Sequence, residues 1–184
     1  MSLALADASI ALIADFLNDG VEKQYPPSLQ AILHRYPSPP TALNREQLIE
    51  IAREKNGGKL AKSKALKALE GNSNAAVLRL TGLAFAEPDV EIQMRLLIGL
   101  GGVGVPTASA ILTWTNPNKF AVIDRRACAA LMSIVDTDIN PKSVAGWISY
   151  LAIAKRVAKR LGVTPMIVDR RLYSLGDSGP KRSG

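Results

Sequence analysis

Leu96-Leu97-Ile98-Gly99-Leu100-Gly101-Gly102-Val103-Gly104-Val105-Pro106-Thr107-Ala108-Ser109-Ala110-Ile111-Leu112 is the stretch on which the reading of this chain turns. An apolar run at helical spacing stops at a cluster of glycines, and a second helix of small residues starts at once. Pro106 suits the first turn of that second helix, where a missing N–H costs nothing. Gly101, Gly102 and Gly104 allow positive φ and the close approach of a foreign backbone. Val103 is the apolar plug between them, and Ala108, Ser109 and Ala110 are small enough for the two helices to pack closely. The amides of such a turn, and of the first turn after it, lack helical partners and face any anion that approaches.

Helical patterns continue on both sides. Upstream, Leu3–Leu17 is closed by Asn18-Asp19-Gly20, and Ser28–Arg35 lies between two proline clusters. Asn44 caps a helix over Arg45–Lys55 that Asn56-Gly57-Gly58 ends. A helix carrying Lys59, Lys62, Lys64 and Lys67 closes at Gly71-Asn72, and Asn74–Ala86 and Val90–Ile98 follow. Downstream come Pro106–Trp114, Arg125–Ile134, Ser143–Leu161 with Trp147, Tyr150, Leu151, Ala154 and Val157 as its stripe, and Pro165–Leu175. No strand and no repeat emerges. The expectation is an all-α fold: one compact multi-helix domain over residues 1–176, with 177–184 as a disordered tail.

Composition agrees. Hydrophobic residues make up 47% of the 184 and aromatics only 5%, a usage that favours helices over a sandwich or barrel. Cys128 alone cannot form an internal disulfide, and with His34 it leaves too few soft ligands for zinc. The net charge of +7 suits an anionic partner, nucleic acid first, although small soluble domains commonly carry several charges. Asp7 and Asp15 interrupt the apolar start, which argues against a signal peptide, and no stretch approaches the ~18 apolar residues of a membrane span. A cytoplasmic, monomeric protein with no membrane partner is expected.

Two other readings of the glycine stretch compete. A dinucleotide fingerprint needs a preceding strand and a third glycine, where this chain has Thr107. A structural turn with no ligand needs nothing further.

Spacing gives Asp124 a place. A helix from Pro106 to Thr115 advances ~15 Å from the turn. Asn116–Ile123, up to ~26 Å when extended, is long enough to run back beside it. Asp124 then returns to the turn and caps the helix that begins at Arg125. Taken alone, Asp124 reads as a cap and nothing more.

Leu100-Gly101-Gly102-Val103-Gly104, then Thr107-Ala108 and, farther on, Val122-Ile123-Asp124, resemble the helix-hairpin-helix DNA glycosylase superfamily. Its hairpin usually reads Leu-Pro-Gly-Val-Gly, then Thr-Ala, and its Gly/Pro-rich loop ends in an aspartate that opens another helix. The match covers Met94 to Leu131. The resemblance implies an enzyme of base-excision repair in which Asp124 faces a base flipped out of duplex DNA. Its carboxylate stabilises positive charge developing on the sugar or helps to activate water.

The same resemblance implies DNA contacts at Gly101, Gly102, Val103, Gly104, Val105 and Thr107. It implies a potassium or sodium ion on the carbonyls of Ile98, Leu100 and Val103, bridging to a phosphate; no other cofactor is required. Arg125 and Arg126 are placed to touch phosphate, or to be solvated.

Strand-cutting members carry a lysine where this chain has Pro106, which has no amine for a Schiff base. The expectation is therefore a monofunctional glycosylase. Asp124 lies eighteen positions after Pro106, similar to the adenine-excising branch, but Cys128 alone cannot hold that branch's iron–sulfur cluster. Gly101 replaces the usual proline. An adenine-excising enzyme needs a second acid, and Glu46, Glu50 and Glu54 are candidates. Trp114, Tyr25, Tyr36 and Trp147 are candidates to stack a base, with packing the better expectation for each. A non-catalytic DNA-binding module, or a helical protein-interaction domain, would use the same features without chemistry.

Overall fold

The computed structural model describes residues 5–18, 26–36, 38–57 and 63–177. They form helices α1 (Asp7–Asn18), α2 (Pro27–Arg35), α3 (Arg45–Lys55), α4 (Lys64–Glu70) and α5 (Asn74–Ala86). After these come α6 (Val90–Ile98), α7 (Val105–Thr115), α8 (Arg125–Ile134), α9 (Val144–Leu161) and α10 (Pro165–Asp177). Among the described residues there is no strand, and the fold is all-α.

Side-chain caps set most of the starts. Asn44 and Gln47 form a reciprocal capping box on α3, and Ser63, Ser73, Asp89, Asp124 and Ser143 each accept a first-turn amide. Gly162, at φ +66°, ends α9 in the left-handed region. Three boundaries differ clearly from expectation. Helix α1, expected from Leu3, begins at Asp7, and Leu5 and Ala6 before it are not helical. The lysine-bearing helix starts at Lys64, because Ser63 caps it there. Helix α10 takes in Asp177, which the sequence reading assigns to the tail. Asp19, Gly20, Tyr25, Gly58, Lys59, Lys62 and residues 178–184 lie outside the described residues.

Helix α7 organises the core. It is buried at Val105 and at every position from Ala108 to Thr115, with α2, α3, α6 and α9 around it. Its hydroxyls survive burial because they bond within the helix: Thr113 Oγ1 donates to the Ser109 carbonyl and Thr115 Oγ1 to that of Ile111, both at 2.7 Å.

A second group joins α8, α9, α10 and α1 around the buried Trp147 and Tyr150. Helix α10 approaches α8 so closely that a Cβ at Gly176 would lie 2.6 Å from the Arg126 carbonyl oxygen. Where α2, α3 and α7 face α10, a cleft opens. No described helix is long and apolar enough to cross a membrane.

Candidate functional site

The glycine turn between α6 and α7 is tight. Gly102 has φ +79°, and the Val103 amide donates to the Leu100 carbonyl at 3.1 Å. Val103 is buried as the plug. The close approach expected of a foreign backbone is, at two glycines, made by the chain's own α4. A Cβ at Gly102 would lie 2.5 Å from the Ala65 carbonyl oxygen, and one at Gly101 2.9 Å from that of Ala68. Asn72 also takes both backbone groups of Gly101, accepting from its N–H at 2.8 Å and donating to its carbonyl at 2.9 Å. The Gly101 amide therefore does not face outward for an anion, which corrects the expectation for that residue.

Gly104 is different. It is exposed, caps α7 without a side chain, and a Cβ there would make only an ordinary contact, 3.9 Å from Pro106 Cδ. Among the described residues, the amides of Gly104, Val105 and Thr107 make no hydrogen bond. The carbonyls of Ile98 and Val103 accept none among the described residues, while Leu100 accepts one and keeps a second lone pair, so the three have capacity for a monovalent cation.

The chain returns from the far end of α7 as the spacing requires. Phe120, Ala121, Val122 and Ile123 are buried, Trp147 Nε1 donates to the Ala121 carbonyl at 3.1 Å, and Phe120 stacks on the Trp147 ring. Ser109 then fastens the strand of chain beside the start of α7. Its Oγ accepts the Ile123 amide at 3.0 Å and donates to the Pro106 carbonyl at 2.9 Å. Asp124 follows directly, and its Oδ1 accepts the Arg126 amide at 2.8 Å, capping α8.

Asp124 also lines the cleft, whose volume is about 320 Å³. Its Oδ2 accepts from Lys55 Nζ at 2.9 Å, a pair that is mostly buried. Burial alone would raise the Asp124 carboxyl, but the Lys55 ammonium, the Arg126 amide and the Arg126 charge hold it below the usual carboxylate range. Asp169 of α10 is a second carboxyl on the same wall, 5% exposed, and its Oδ1 accepts from the Tyr150 hydroxyl at 2.7 Å. Burial pushes Asp169 up to about 7 against the pull of Tyr150 and Lys55, and the Asp124 charge adds to the rise. Burial, with the charges of Asp169 and Asp124, pushes the Cys128 thiol up to about 12. Trp114, Met166 and Tyr173 supply apolar wall.

The remaining candidates disperse. Arg125 is exposed. Arg126 is turned onto α10, where its Nη1 donates to the Tyr173 hydroxyl at 3.1 Å and the guanidinium lies over that ring. Glu54 lines the cleft; Glu46 and Glu50 line a neighbouring groove, with Glu50 paired to Arg35. Tyr36 and Trp147 are core residues, whereas Trp114 reaches the cleft.

Lys55, Tyr150 and Asp169 escape a linear reading. Lys55 ends α3, where a lysine reads as complement to the helix dipole. Tyr150 reads as stripe. Asp169 did carry a signal: it lies three residues from Met166 and from Leu172, both buried, so it is a carboxyl on an apolar face. Comparison with protein-family models, with curated proteins and with solved structures finds no match for this chain.

Proposed function

We propose that this chain is a monofunctional DNA glycosylase of the helix-hairpin-helix type, a cytoplasmic monomer that hydrolyses the N-glycosidic bond of a damaged or mispaired base in duplex DNA, with Asp124 as its catalytic carboxylate. One observation carries the reading: an ionised aspartate, tethered beside the first turn of α7, lines a cleft of about 320 Å³. That volume is at the lower end of the ~300–1,000 Å³ of small-molecule sites. A cap alone uses one carboxylate oxygen and needs no cleft; here the second oxygen is held charged by Lys55.

In this reading the flipped base enters between Trp114 and Tyr173. Asp124 stabilises the positive charge that grows at C1′ as the bond breaks, and accepts a proton from the water that adds there. The amides of Gly104, Val105 and Thr107, at the positive end of α7, receive the neighbouring phosphate, and the exposed Arg125 adds positive charge for the backbone. The carbonyls of Ile98, Leu100 and Val103 would hold a potassium or sodium ion, which supplies positive charge against that phosphate.

Pro106 offers no amine, and Lys55 is engaged as the partner of Asp124, so the strand is left uncut. The test is a panel of duplexes, each with one lesion or mispair, developed with and without alkali and separately trapped with borohydride. Product is expected only after alkali, with no covalent adduct. An adduct at Lys55 would overturn the monofunctional assignment, and binding without excision of any base would leave a non-catalytic module.

A further inference from the structure

We propose that Asp169 is the general acid of this cleft, protonating the departing base, and that the substrate is accordingly a neutral purine. The inference rests on the glycosylase reading and deepens it. Asp169 shares the cleft wall with Asp124 but not its surroundings. It is 5% exposed, its Oδ1 takes one hydrogen bond from the fully buried Tyr150, and its other oxygen has no hydrogen-bond partner among the described residues. An anion so placed is poorly compensated, whereas a carboxylic acid keeps Oδ1 on Tyr150 and has an O–H left to donate from the unbonded oxygen.

The groups facing it agree. Lys55 from α3 draws Asp169 toward the charged state, but its ammonium is bonded to Asp124 at 2.9 Å. Asp124 at the start of α8 opposes ionisation of Asp169. Tyr150 on α9 and Arg170 on α10 favour it, and Cys128 on α8 is itself held as the neutral thiol. Burial outweighs the rest, leaving an acid that is half protonated at about 7 beside a carboxylate that stays ionised. Two carboxyl groups with their proton affinities driven apart mark the division of labour of acid and charged partner.

The chemistry selects the base. When the bond from C1′ to purine N9 breaks, its electron pair goes to the ring, and a neutral purine accommodates that pair once N7 or N3 takes a proton. Asp169 gives that proton and becomes a carboxylate. Water adds to C1′, its proton passes to Asp124, and exchange with solvent restores Asp169. A 7-methylguanine already carries the positive charge and leaves without the acid. Glu54 is the rival donor, but it also borders the outer groove with Glu46 and Glu50, and lacks a buried partner.

The experiment measures single-turnover excision from duplexes carrying adenine, guanine, hypoxanthine or 8-oxoguanine mispairs, or 7-methylguanine. It uses the wild type, Asp169→Asn and Glu54→Gln. Melting temperature and affinity for a duplex with an abasic-site analogue report folding. The wild type is expected to excise a neutral purine with a rate that falls as pH rises through about 7.

Asp169→Asn should lower that rate by ~10²–10⁴ and lose the pH limb, at unchanged affinity for the analogue, and should spare any 7-methylguanine excision. Several results overturn the inference while the parent reading stands: a retained rate or limb in Asp169→Asn, the effect at Glu54→Gln instead, equal loss on 7-methylguanine, or removal of only cationic purines or pyrimidines. A wild type that excises nothing refutes the parent reading, and the inference with it.

Discussion

Asp124 divides its two oxygens between a helix cap and a charge, and the cap half is what a sequence reader sees. An aspartate between an apolar run and a helix announces itself by type and position. Lys55, sixty-nine residues upstream, does not, because only the packing of α3 against α7 brings it within 2.9 Å. The two carboxyls make opposite predictions about stability. Asp124 is depressed on folding, so it stabilises the fold above the unfolded carboxylate value of ~3.9, and that contribution is lost as pH falls. Asp169 is raised to about 7, so from about pH 4 to 7 the folded state binds the extra proton and stability falls as pH rises. The slope of its contribution is ~1.4 kcal/mol per pH unit. In urea unfolding across that range, the stability of the wild type minus that of Asp169→Asn should fall toward pH 7, and a constant difference would contradict it. Cys128, buried with its thiol pushed up to about 12, should resist alkylation until the protein unfolds.

At the scale of elements, some helix starts were legible because caps are local chemistry: Asn44 and Asp124, read as caps, stand where their helices begin, and Ser73 and Asp89 do the same for the helices read from Asn74 and Val90. The partner of the glycine turn was not legible, since α4 reaches it only through tertiary packing. That separates the glycines experimentally. Gly102→Ala meets α4 at 2.5 Å with φ +79° and should cost about 2–4 kcal/mol of stability, seen as a lower melting temperature whether or not DNA is present. Gly104→Ala, with only an ordinary 3.9 Å contact to Pro106 Cδ and φ −94°, should cost less than about 1 kcal/mol and is the cleaner probe of DNA approach. A reversed order would mean the turn does not sit on α4 as described. Ser109→Ala strips the buried Ile123 amide of its acceptor and should cost about 1–3 kcal/mol, loosening the segment that delivers Asp124.

At the scale of the molecule, the ten helices of the described residues set Asp124, Lys55 and Asp169 around one cleft at the junction of two helical groups. With a net charge of +7, duplex affinity should fall steeply with salt through counterion release, and a salt-insensitive titration would contradict electrostatic DNA binding. The central claim is that Asp124 does chemistry, and Asp124→Asn tests it most directly. Asparagine retains the cap and removes the charge. Single-turnover excision of whichever base the wild type removes should drop by ~10²–10³, with the protein still folded at a melting temperature lowered by the loss of the Lys55 pair and DNA affinity equal or slightly higher. Full excision by Asp124→Asn would contradict the account and return Asp124 to the role of a helix cap.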